Sequence, residues 1–89
     1  MVAVIAGTDK IQNVKICITM EEAKKYIEKE IQAYRDVFGD EEILEMKELE
    51  SKYKFAANFV LQVDYAIYQK DVEKIMWWKI VENCEKAKK

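Results

Sequence analysis

Asp64 is the residue of this chain whose surroundings most suggest chemistry. It falls within residues 53–68, where twelve of sixteen residues are apolar or aromatic. On a helix it projects near Tyr53, Ala57, Leu61 and Tyr68, and a carboxylate buried there needs a partner. Held by a tyrosine hydroxyl or a lysine, it would pin helix register; set beside a pocket, it would be a perturbed acid. The structural reading is preferred, because perturbed carboxylates also arise in purely structural pairs. A cluster of acidic residues, Asp40, Glu41, Glu42, Glu45, Glu48 and Glu50, surrounds a predicted helix start. Glu41 and Glu45 would share a helix face and could in principle face a divalent cation. A hard-cation cage needs about six or more oxygens, so a solvated helix start, favoured by the positive pole of the helix, is the expectation.

The absences say more. The chain has no histidine, which removes the commonest general base and the commonest metal ligand together. Ser51, the one serine, sits among Glu48, Glu50 and Lys52 with neither a nucleophile elbow nor a base partner. Two separated cysteines, Cys17 and Cys84, make no zinc site. They are expected as reduced thiols, with Cys84 in the core. Two glycines in total, Gly7 and Gly39, rule out a Gly-rich phosphate loop. No enzyme, no metal and no cofactor are expected.

Composition sets the frame for these residues. Apolar residues make up 51% of the 89 and charged residues 36%, the balance of a globular chain expected to form a single domain over residues 1–89. The net charge is −2 with acidic and basic residues interspersed, so no basic face for nucleic acid is visible. Lys86, Lys88 and Lys89 form a basic helix end suited to the negative helix pole. MVAVIAG is too short for a signal peptide, and no run approaches the roughly 18 uncharged apolar residues of a membrane span. A cytoplasmic protein without membrane attachment is expected.

Two short runs rich in β-formers, residues 2–6 and 14–19, are joined by GTDKIQN, which supplies turn residues. In the second run Val14, Ile16 and Ile18 alternate with Lys15, Cys17 and Thr19. A β-hairpin follows. Such a pair is marginal alone, so its apolar face must be covered, either by helices or by a second copy of the chain that extends the sheet. Thr19 with Glu22 three residues on is a capping box opening a helix over 20–38. Met20, Ala23, Ile27, Ile31, Tyr34 and Phe38 form its apolar face, and Gly39 ends it. Asp40 is set to cap the next helix.

Beyond Asp40, a stripe of Met46, Leu49, Tyr53, Ala56, Val60, Val63 and Ile67 alternates spacings of three and four. Phe55, Phe59 and Ala66 widen it into a second face. This predicts a long central helix over 41–69, buried on nearly all sides. The seam then meets Lys70 and Lys74 and resumes at Trp77, Val81 and Cys84. Two accounts compete: a turn capped by Asp71 and a third helix over 72–87, or one continuous helix of roughly 70 Å that only a dimer could pack. The break is preferred. The predicted class is α+β and predominantly helical, an N-terminal β-hairpin followed by three helices in a bundle.

Trp77 and Trp78 would point about 100° apart on such a helix. Trp78, Tyr26, Tyr65, Phe55 and Phe59 exceed the needs of one small core and are the candidate interface anchors. Three functions remain open: a non-enzymatic interaction module that self-associates as a homodimer, a small acidic inhibitor or adaptor of a larger protein (of the kind phages and mobile elements carry), and a small-ligand or enzymatic site around Asp64.

Overall fold

The structure, a computed structural model, describes residues 1–8, 11–52 and 62–82, apart from the side chains of Glu50 and Lys52. Strand β1 (Val2–Gly7) pairs antiparallel with β2 (Gln12–Cys17), with Val2 opposite Cys17 and Gly7 opposite Gln12. At the end of the hairpin the Thr8 amide donates to the Ile11 carbonyl at 2.8 Å and the Thr8 hydroxyl accepts from the Ile11 amide at 3.2 Å.

Helix α1 (Met20–Phe38) follows at once. Its start is the capping box the residue types predict: the Thr19 hydroxyl accepts from the Glu22 amide at 3.1 Å, and Glu22 Oε2 accepts from the Ile18 amide at 3.1 Å. Its end is Gly39 at φ +88°, whose amide donates to the Arg35 carbonyl. Few side chains reach that backbone region. Asp40 caps no helix. It begins a short 3-10 turn (Asp40–Glu42), and its carboxylate instead accepts from Arg35 Nη1 at 3.2 Å.

The rest of the chain departs from the helical expectation. After the turn come β3 (Ile43–Glu45), a short helix α2 (Met46–Lys52), β4 (Tyr65–Gln69) and β5 (Lys74–Glu82). The strands form one five-stranded antiparallel sheet in the order β2-β1-β5-β4-β3. Neither the helix over 41–69 nor that over 72–87 exists among the described residues, and the molecule is no helical bundle. Within the seam, Met46 and Leu49 do lie on a helix, and Leu49 is fully buried. Val63 and Ile67 pack into different clusters. Tyr53, Ala56 and Val60 lie outside the described residues, as does Cys84.

The departure has a physical cause. On one face of the sheet α1 packs Ala23 and Ile27 against Val2, Val4, Cys17, Ile43, Ile67, Met76 and Trp78. On the other, Leu49 of α2 packs against Leu44, Ala66 and Tyr68. Strand β4 is therefore buried on both faces and needs no polar residue at every second position. A short apolar run of that kind cannot be told from a buried helix by periodicity. The β4–β5 turn also lacks glycine and proline: Glu73 takes φ +51° where glycine is usual. Gln69, 1% exposed, holds the turn by accepting the Val72 amide on Oε1 at 2.9 Å. Asp71, expected as a helix cap, sits in this turn.

Candidate protein-interaction surface

The residues singled out for chemistry do not converge. Asp64 is not buried and not on a helix; it is exposed, just ahead of β4. Its amide donates to the Trp78 carbonyl at 3.0 Å, and its Oδ2 accepts from the Ile80 amide at 2.6 Å. The carboxylate thus takes the place of a backbone carbonyl where β4 has not yet begun. That is a fixed structural duty. Glu41 belongs to the 3-10 turn and Glu45 to β3, so no shared helix face presents them. Glu45 accepts from Arg35 Nη2 at 3.1 Å. Charge-assisted bonds to Glu45 first, and then to Asp40, raise the Arg35 pKa above its ordinary value, against an opposing effect of burial. No group of three metal-ligating side chains occurs among the described residues. Ser51 is exposed on α2, and Cys17 is a buried free thiol.

A cleft of about 770 Å³ runs between α1, β3 and the start of β4. Its charged lining includes Arg35, Glu45 and Asp64, all three already engaged within the protein. A smaller recess beside the β1–β2 turn, about 260 Å³, is lined by Asn13, Glu30, Tyr34 and Trp78. Trp78 Nε1 is buried without a hydrogen-bond partner among the described residues. Neither cleft brings together a nucleophile and a base.

The predicted aromatic anchors divide. Trp78 is core: 2% exposed, and edge-on to Tyr34 with ring centroids 6.4 Å apart. Tyr26 and Tyr65 are half-buried and pack against the same cluster. The Tyr26 hydroxyl donates to Glu30 Oε1 at 3.0 Å, and Lys15 Nζ lies 5.8 Å from its ring centroid. Phe55 and Phe59 lie outside the described residues. Trp77 and Trp78 are strand neighbours and so point to opposite faces rather than 100° apart. The Trp77 indole lies over Gly7, its cross-strand partner: a methyl group there would stand 2.5 Å from Trp77 Cζ2. Gly7 is thus no turn residue but a strand position where an indole needs room.

What the sheet leaves open is more telling. Lys15 and Cys17 belong to the α1 face, so Val14 and Ile16 point away from α1. They share their face with α2, but α2 packs at the other end of the sheet, on β3 and β4. Val14 is consequently 64% exposed and Ile16 48% exposed. Across the ladder Val14 stands beside Ile5, and Ile16 beside Ala3, which in turn faces Val81. Val81 is also exposed. Ile11 and Ile18, flanking β2, are exposed as well. The alternation of Val14 and Ile16 is visible in the chain; that no helix among the described residues covers it is not.

Comparison with known protein families, with curated proteins and with solved structures finds no match to this chain. No helix among the described residues is long and apolar enough to cross a membrane.

Proposed function

We propose that this chain is a non-enzymatic protein–protein interaction module that self-associates through the uncovered half of its sheet. One observation carries the reading. Val14, Ile16 and Val81 form an exposed apolar surface next to an edge strand, on the face where α2 covers only the far end. Contiguous apolar surface of this kind marks interaction sites, and an open strand edge beside it is a template for pairing. The engagement of Asp64, Glu45 and Arg35 within the protein supports a non-enzymatic reading. We place the protein in the cytoplasm, where the free thiol of Cys17 would stay reduced.

Light scattering over a wide concentration series tests the reading. The expected mass rises from one chain to two as concentration increases, and Ile16→Asp holds it at one chain without changing the melting temperature. A single-chain mass up to about 1 mM, where even a weak complex forms, would overturn it.

A further inference from the structure

We infer that two copies of this chain join β2 to β2 across a two-fold axis at Val14, merging two five-stranded sheets into one of ten strands. This rests on the self-association reading above and gives it a specific geometry. Strand β2 ends the sheet order and has β1 as its one neighbour among the described residues. The bond from the Thr8 amide to the Ile11 carbonyl sets the phase of the β1–β2 ladder. Bonding positions alternate along an antiparallel pair, so Ile11, Asn13, Lys15 and Cys17 turn their backbone groups to β1. Gln12, Val14 and Ile16 turn theirs outward. Ile18 would do the same, but its amide is taken by Glu22 Oε2. The open edge is therefore a short stretch with a definite end.

Antiparallel pairing of identical strands is self-complementary about a two-fold axis. It must set outward-facing residues against outward-facing residues, which leaves three registers, with the axis at Asn13, Val14 or Lys15. With the axis at Lys15, the two Lys15 side chains stand directly opposite each other, and like charges so placed are destabilising. With the axis at Val14, Val14 faces Val14, Gln12 faces Ile16, and Lys15 lies beside the Asn13 amide. Charge disfavours the axis at Lys15, and an axis at Asn13 pairs only Gln12 with Val14, so the register about Val14, which pairs all three outward residues, is selected. It also runs the apolar row of Val81, Ile5, Val14 and Ile16 of one copy into that of the other. Lys15, the residue type that usually guards an edge, leans over Tyr26 on the α1 face and leaves this side unguarded. A single strand pair falls below the roughly 1,000 Å² of a stable interface, so monomer and dimer exchange.

Cross-linking tests the register with Lys15 retained, using Val14→Cys mixed with Ile16→Cys. Facing residues at a bonded antiparallel position have Cα atoms about 5.5 Å apart, within disulfide reach, whereas residues two positions out of register are more than about 7 Å apart and outside it. Mild oxidation of the mixture should link Val14→Cys to itself at least tenfold faster than to Ile16→Cys. Val14→Pro is the companion variant: the lost amide faces outward, so its circular dichroism should match the unsubstituted protein while the dimer disappears, and Val14→Lys should do likewise. Equal or faster linking of Val14→Cys to Ile16→Cys, or a dimer that survives both Val14→Pro and Val14→Lys, would overturn this geometry while leaving self-association intact. A mass of one chain at every concentration would overturn both.

Discussion

Asp64 Oδ2 stands 2.6 Å from the amide nitrogen of Ile80, a short bond between a carboxylate and a strand amide. With the Asp64 amide bonded to the Trp78 carbonyl, one residue satisfies two successive outward-facing backbone positions on β5 before β4 begins. Asp64→Ala should lower stability by about 1–2 kcal/mol, the cost of leaving a strand amide without its charged acceptor. Hydrogen exchange at Ile80 should quicken, while Asp64→Asn, which keeps an acceptor oxygen, should retain part of the protection. Unchanged exchange at Ile80 in Asp64→Ala would refute the role.

Gly7 and Trp77 are coupled by contact. A Cβ at Gly7 would meet Trp77 Cζ2 at 2.5 Å and Cε2 at 2.8 Å, so Gly7→Ala should cost about 1–3 kcal/mol by overpacking. Replacing Trp77 with leucine in the same chain should recover much of the loss attributable to position 7. A double-mutant cycle in urea measures the coupling, and additive effects would show that the indole is not the obstacle.

Gly39 has the opposite character. A methyl group there would meet nothing within 4 Å, but the backbone φ is +88°. Gly39→Ala should cost about 1–3 kcal/mol from backbone strain alone, with no neighbour whose trimming restores it. Glu73, at φ +51°, should show the reverse sign. Glu73→Gly should stabilise by on the order of 0.5–1 kcal/mol, since glycine bears no penalty in that region. Thermal denaturation of both variants checks the pair.

Tyr26 and Tyr34 predict an alkaline limit. Burial first, and then for Tyr26 the hydrogen bond to Glu30 and for Tyr34 the charge of Glu30, raise both pKa values above the ordinary 10.0. The folded state therefore holds these protons more tightly than the unfolded chain. Their contribution is complete below about pH 10 and is lost as pH rises through the folded values. Absorbance titration should show late-ionising tyrosines in the native protein. Their number should fall by two in a Tyr26→Phe, Tyr34→Phe double variant, whose stability should fall less steeply above pH 10. Ionisation of Tyr26 and Tyr34 at the ordinary value in the native protein would refute the effect.

Where local chemistry decides structure, the residues alone are enough. Thr19, Glu22 and Gly39 mark the ends of α1 because caps are satisfied within a few residues. The alternation around Val14 and Ile16 marks a strand because side-chain period is a local property. The long-range half is not legible in the same way. Residues 65–69 form a strand because β3 and β5 supply ladder partners and both helices bury it, and an apolar run carries no record of which partners it will find. Asp64 resembles a buried helical carboxylate in the chain for the same reason; its bond to Ile80 spans sixteen residues. The open half-sheet divides most sharply. The chain by itself determined that the hairpin has an apolar face in need of cover. Tertiary structure decided that α1 lies on the other face and α2 at the far end, so Val14 and Ile16 remain in solvent.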